Sequence, residues 1–247
     1  MKISKCLVAA ALALTAGPAL SQPDLTSIVE AVDKLRLTGS QHLVVSIQLR
    51  TMSGQRVEPA YLYLLRVRRG VGALVEARDG DQRGQKYLST PAGFWFYAPR
   101  TRQAIRMSPL QLVRGQASIG DISRMRYSGD YTARLQTNAS QTMDGVPVWA
   151  LQLKAKSQQA TYATVSLYTA KADSRPIRAD FMSAAGRRLK SVRFGSPVTI
   201  SGHRLIQDTT FIDGIDPTKS TLLRITKVEE AATSPLMFKP QALGAAR

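Results

Sequence analysis

The chain has 247 residues, with 34 Lys and Arg against 17 Asp and Glu, a formal charge of +17, and one cysteine. A single cysteine excludes an internal disulfide, and its place at Cys6, ahead of an apolar run, excludes attachment of lipid to a cysteine, thiol catalysis and cysteine-based metal sites in the chain that follows. The basic balance favours anionic partners without selecting an activity.

Residues 1–21 read as a cleavable secretory signal peptide. Lys2 and Lys5 precede an apolar run over residues 7–14, too short to span a bilayer, which needs about 20 apolar residues. Gly17 and Pro18 follow, and Ala19 and Ser21 place small residues where a signal peptidase cuts, with Gln22 as the expected new N-terminus. The expectation is a soluble periplasmic protein with one domain over residues 22–247. Losing Lys2 and Lys5 leaves 32 basic against 17 acidic residues, a charge of +15. In that compartment the anionic partners are expected to be phospholipid headgroups or lipopolysaccharide, not nucleic acid.

Asp24 is placed to cap a helix in which Ile28, Val29, Val32, Leu35 and Leu37 recur at near-helical spacing, with Gly39 as its stop. The period then changes to two: Leu43, Val45, Ile47 and Leu49 alternate with Val44, Ser46, Gln48 and Arg50, predicting a half-buried strand. Similar patterns predict strands at Tyr61, Tyr63, Leu65 and Val67, at Ala73, Val75 and Ala77, and over residues 94–97, 103–107, 131–136, 148–154, 162–169, 177–182, 189–194, 205–212 and 221–228. Turn signals separate them, among them Ser53-Gly54, Asp79-Gly80, Asp144-Gly145, Gly186, Ser201-Gly202 and Asp213-Gly214. Strand, turn, strand at short intervals predicts a meandering antiparallel sheet. Residues 107–125 break the rhythm with Pro109, Gly115 and Gly120, and Asp121 is read as the cap of a short helix through Met125, an insertion over the sheet.

The chemistry-bearing residues are sparse. His42 and His203 have no second metal-ligand type at a familiar spacing. Residues 115–120, G-Q-A-S-I-G, have one residue too many for the G-x-S-x-G elbow of serine hydrolases, so Ser118 reads as a loop or cap residue. Gly70-Val71-Gly72 lacks the third glycine of a dinucleotide fingerprint. Glu58, Glu76, Asp79 and Asp81 lie at turns or opposite arginines, where ion pairing is the ordinary fate. No enzyme activity, catalytic residue, metal or cofactor is expected. Basic clusters stand at Arg66, Arg68 and Arg69; Arg100, Arg102 and Arg106; Arg124 and Arg126; and Arg187, Arg188, Lys190 and Arg193. On one face they would hold a protein to an anionic membrane, at about 1 kcal/mol per cation.

A series of short motifs carries more. G-Q-K-Y-L at residues 84–88, F-W-F-Y-A-P at 94–99 with Arg100 and Arg102 behind it, G-Q-A-S-I-G-D-I at 115–122, P-I-R-A-D-F at 176–181, G-R-R-L-K at 186–190 and F-K-P-Q-A-L at 238–243 follow one another in an order that resembles the outer-membrane lipoprotein-sorting-like family. This is a branch of the LolA-like superfamily often found beside transporters of the RND class. The resemblance implies a mainly β (α+β) fold, a single curved, incompletely closed antiparallel sheet or half-barrel whose concave face is covered by helices. It also implies that acyl chains of a lipid or lipoprotein are held between the two, and it brings no catalytic residues.

On that reading Val45, Ile47, Leu49, Tyr61, Tyr63, Leu65, Val75, Phe94 and Phe96 form the concave wall, Ile28, Val32 and Leu35 the covering helix, and Met107 and Met125 a lid able to repack around different chains. The expected function is a periplasmic carrier between the inner membrane and the outer membrane or a transporter, in transient contact with an anionic membrane surface. The alternative is a non-transporting adaptor or sensor for an RND-type transporter, with a solid core in place of a cavity. Lipid hydrolysis through Ser118 is the remaining reading.

Overall fold

A computed structural model describes residues 23–37, 42–123 and 125–244. The expected signal peptide, Gly39 and Arg124 lie outside the described residues.

Helix α1, Leu25–Leu35, begins where the sequence places it: the Asp24 carboxylate accepts from the Thr26 and Ser27 amides at 3.0 and 3.3 Å, satisfying two donors that the first helical turn leaves unpaired. Ile28, Val29 and Val32 form its buried stripe, and the chain leaves the helix through Leu37 at φ 59°.

Thirteen strands make one antiparallel sheet: β1 His42–Ser53, β2 Tyr61–Arg68, β3 Gly72–Ala77, β4 Lys86–Thr90, β5 Gly93–Tyr97, β6 Ala104–Met107, β7 Tyr131–Leu135, β8 Val146–Ala155, β9 Thr164–Ala170, β10 Pro176–Met182, β11 Arg188–Phe194, β12 Asp208–Asp213 and β13 Lys219–Glu230. Short strands Arg56–Val57 and Thr142–Met143 pair onto it. The spatial order runs β7 to β13 and then β1 to β6, so every neighbour is a sequence neighbour except β13 and β1, which pair over their length. The open edges are therefore β6 and β7, which residues 108–130 join in sequence. That stretch carries two short helices, α2 Ile119–Ser123 and α3 Tyr127–Asp130.

On β1 the alternation is realised as expected, with Leu43, Val45, Ile47 and Leu49 buried on one face. Register puts Leu43 opposite Val67 and Val45 opposite Leu65. The ladder with β13 slips between Ser46 and Ile47, and a slip of this kind bends the strand and raises its twist. α2 packs on β3 and β4, and α1 on α3, β7 and the hairpin strand His203–Ile206. The opposite face of β3 to β5 is covered by the C-terminal turns Pro235–Phe238 and Pro240–Ala242, which seat Phe238 and Leu243 on Leu74, Leu88 and Tyr97.

Three details differ from the sequence reading. Strand β4 has no alternation to find, because Tyr87, Leu88 and Ser89 are all buried, one face by the core and the other by the C-terminal turns. The stretch 205–212 is two strands: Pro197–Ile200 and His203–Ile206 form a separate hairpin turned at Ser201-Gly202, and the chain enters the main sheet only at Asp208. α2 starts before Asp121, with Ser118 as its cap: Ser118 Oγ accepts from the Asp121 amide at 3.4 Å while the Asp121 carboxylate accepts from the Ser118 amide at 3.0 Å, a reciprocal capping box.

Candidate functional site

Between the concave face of the sheet and the chain that covers it lies a cavity of about 310 Å³. Its floor is aliphatic: Leu43, Val45 and Ile47 from β1, Leu65 and Val67 from β2, Ala73 from β3, and Leu223 and Ile225 from β13, with Phe211 of β12 at the far side. Leu37, Ile122 and Met125 form the roof. The cavity reaches the surface at the exposed turn residues Gly70 and Pro91. The floor follows from pleating, since residues two apart share a face and the first and last strands of the chain are neighbours.

The roof is held up by polar contacts. Gln116 donates its amide to Thr221 Oγ1 at 2.7 Å, and a side chain at Gly115, whose φ is +52°, would run into Thr221 and Thr51. Asp121 is the hub. Its carboxylate accepts from Ser118 Oγ at 2.7 Å, from Tyr162 OH at 2.7 Å and from Lys190 Nζ at 2.8 Å, and Lys190 also donates to the Gln116 carbonyl at 2.6 Å. The carboxylate side chain is fully buried and the ammonium nearly so, a pair whose desolvation is offset only because the surrounding bonds are made. Burial, then the Asp121 charge, pushes the Tyr162 hydroxyl well above its ordinary range, so it stays a donor to that carboxylate.

α1 is tied to the same roof in both directions. Asp33 accepts from the Tyr127 and Ser128 amides, each at 2.9 Å, and Arg36 donates to the carbonyls of Met125 at 2.9 Å and Asp121 at 3.4 Å while lying over the Tyr127 ring. Burial pushes the Tyr127 hydroxyl up and the Tyr131 hydroxyl up to about 12, so neither ionises at neutral pH.

A second, polar cavity of about 570 Å³ adjoins the first and shares Leu37, Arg69 and Arg126 with it. Glu30, Asp33, Lys34, Ser128, Gly202, His203 and Arg204 complete its described lining.

Of the wall, helix and lid residues named from the sequence, Val45, Ile47, Leu65 and Met125 line the apolar cavity. Leu49, Tyr63, Val75, Phe94, Ile28 and Val32 are buried in the main core, and Tyr61, Phe96, Leu35 and Met107 pack against it half-buried. Tyr61 and Tyr63 belong to a polar-capped corner instead: Tyr63 OH donates to Gln82 Oε1 at 2.6 Å and accepts from Arg114 Nε at 3.0 Å, and the Arg114 guanidinium lies 3.8 Å from the centre of the Tyr61 ring. The reading passed over Leu43, Val67, Leu223 and Ile225, which the alternation of β1, β2 and β13 marks, and Phe211 and Ile122, which only the pairing of distant segments reveals.

Ser118 is fully buried and spends its hydroxyl on the Asp121 carboxylate and on capping α2. Glu76 pairs with Arg66 and Arg78 at 3.0 Å each, and Arg114 pairs with Glu58 and Asp81. Among the described residues no three His, Cys, Asp or Glu gather as a metal site requires.

The fold matches solved structures over most of its length. A LolA superfamily protein from Nitrosomonas europaea is 27% identical, with a TM-score of 0.76, over 86% of this chain and 96% of that one. A domain named for outer membrane lipoprotein sorting, from Vibrio parahaemolyticus, is 17% identical, with a TM-score of 0.71, over 89% and 98%. A DUF1329 family protein from Desulfovibrio piger is 18% identical, with a TM-score of 0.73, over 88% and 97%. No curated protein matches the chain. Residues 73–245 match the profile of a family described as "uncharacterized protein". The chain belongs to that family, on the LolA-like fold of one open antiparallel sheet.

Proposed function

We propose that this protein is a non-enzymatic periplasmic carrier that shields an acyl chain of a lipid or lipoprotein and hands it from the inner membrane to the outer membrane or to an RND-type transporter. The observation that carries the reading is the aliphatic cavity between the sheet and α2. Hydrocarbon is held by apolar area removed from water, at about 25 cal/mol per Å², and needs few polar groups. A volume of about 310 Å³ is at the lower end of ligand sites, about 300–1,000 Å³, which favours one chain over several. Val45, Ile47, Leu65 and Met125 are the contact residues from the original set, and Met125 gives the roof an unbranched side chain that can adapt to different cargo. The basic surface supports a transient approach to anionic membranes. No described helix is long and apolar enough to cross a membrane. An adaptor would need no such cavity, so the carrier reading is the one the geometry favours.

Organic extraction of the purified protein followed by lipid mass spectrometry is expected to recover an acyl-bearing lipid, and the stripped protein is expected to take up a fluorescent fatty acid. Repeated recovery of no lipid, together with no uptake, defeats the proposal.

A further inference from the structure

The two cavities differ in chemistry and meet at a shared rim. The first is a slot with an aliphatic floor. The second is lined by Lys34, Arg69, Arg126 and Arg204, all exposed, and by the carboxylates Glu30 and Asp33. Asp33 is occupied by the Tyr127 and Ser128 amides and by Ser128 Oγ at 2.6 Å. Among the described residues, none of the four cations has a carboxylate oxygen within the 4.0 Å of an ion pair, whereas Arg66, Arg78, Arg114, Arg178, Lys190 and Arg224 all do. The cations come from four separate parts of the chain, α1, the β2–β3 turn, the segment before α3 and the 197–206 hairpin, which the fold gathers at one opening. Arg69 and Arg126 line both spaces, so a group seated between them stands where an acyl chain leaves the slot.

We propose that this vestibule seats the anionic headgroup, a phosphate or carboxylate, of the amphiphile whose chain occupies the apolar cavity. The inference rests on the acyl-chain reading and narrows it to anionic amphiphiles. Guanidinium groups suit the task because each presents two parallel N–H donors to two oxygens of a phosphate or carboxylate. Glu30 at the same opening disfavours ligands of higher negative charge and fits a headgroup carrying one or two.

The test is calorimetric titration of the delipidated full chain, below micellar concentrations, with three probes: 1-myristoyl lysophosphatidic acid, uncharged 1-monomyristoylglycerol with the same chain, and inorganic phosphate. The wild-type protein is expected to bind the phosphate amphiphile at least about tenfold tighter than the uncharged one, the return of one charge-assisted contact. The ratio is expected to shrink as salt is raised. Inorganic phosphate is expected to bind far more weakly than the amphiphile. In Lys34→Ala/Arg204→Ala, and independently in Arg69→Gln/Arg126→Gln, the ratio is expected to fall to about twofold or less, with folding checked by circular dichroism. Equal affinities in the wild type, or a ratio that survives in both folded variants, overturns the headgroup site and leaves the acyl cavity standing. Binding of neither amphiphile overturns the acyl reading and this one with it. Phosphate bound as tightly as the amphiphile assigns the vestibule to a free anion and overturns the lipid headgroup.

Discussion

One concave face, built from a single sheet, is solid over β8 to β11 and hollow over β1, β2, β3 and β13. In the solid half Leu151, Leu153, Val165, Leu167, Ala179 and Phe181 are fully buried, Tyr162 stacks on Phe181 with ring centres 4.3 Å apart, and Tyr127 meets Tyr131 edge-on at 6.2 Å. In the hollow half the floor residues are no less shielded, Val45 and Ile47 being 2% exposed, yet they face a void. Burial alone therefore does not distinguish packed core from ligand site. What differs is the filler. Tyr127 of the covering segment and Tyr162 of the β8–β9 loop fill the first half, whereas above the second the apolar side chains of the cover are Leu37, Ile122 and Met125, and the cover is held in place by the bonds around Asp121.

The largest expected effect breaks the boundary between the halves. Lys190 belongs to β11 of the solid half but anchors the roof of the hollow one. Lys190→Met leaves the Asp121 carboxylate buried without its counter-charge and is expected to cost about 3–5 kcal/mol of stability in urea unfolding. Lys190→Met/Asp121→Asn is expected to recover part of that loss, since the amide carries no buried charge and its oxygen still accepts from one of Tyr162 and Ser118, which donate to different carboxylate oxygens. A loss below about 1 kcal/mol in the single variant would show that the roof stands on something else.

The next sharpens the contrast with one substitution made on each side. Val165→Phe, in the solid half, is expected to cost about 1–3 kcal/mol, the usual result of overpacking a filled interior. Val45→Phe places the same ring in the void, where it is expected to cost less than about 1 kcal/mol and to abolish fluorescent fatty-acid uptake. Equal costs at the two sites would mean that the cavity closes in solution.

The sequence makes legible those parts of the fold that local chemistry decides. Asp24 caps α1, Asp144-Gly145 and Ser201-Gly202 adopt the positive φ angles of tight turns, and Leu43 to Leu49 alternate as a half-buried strand must. It hides what depends on coverage from elsewhere. Leu74, Leu88 and Tyr97 carry no outward sign that Phe238 and Leu243 will return over them, and without that the continuous burial of β4 cannot be read as a strand. The cavity is legible only in part for the same reason. Val45, Ile47 and Leu65 share a pleat with the residues that line it, but Tyr63, two residues along the same strand, is turned from cavity to core by Arg114 and Gln82, and that polar corner is assembled from separate segments.

The smallest expected effect separates the stiffness of the hollow half's outer face from its cavity. Glu76 lies on β3 beside Val75 of the core but on the other side of the pleat, between Arg66 and Arg78. Burial alone would raise its carboxyl, but the Arg66 hydrogen bond and the charges of Arg78, Arg66 and Lys86 outweigh it and hold the group below its ordinary value of 4.5. A carboxyl whose folded value is depressed contributes stability that is present above its unfolded value and is lost as pH falls through the folded one. Glu76→Gln is therefore expected to lower stability at pH 7 by about 1 kcal/mol or less and to flatten the decline below pH 4.5, so that variant and wild type converge in acid. Fatty-acid uptake is expected to stay the same, because the side chain faces away from the slot. A variant that lost uptake while keeping its acid decline would mean that the outer face of β3 sets the width of the cavity, and that the hollow half is shaped from both sides of the sheet.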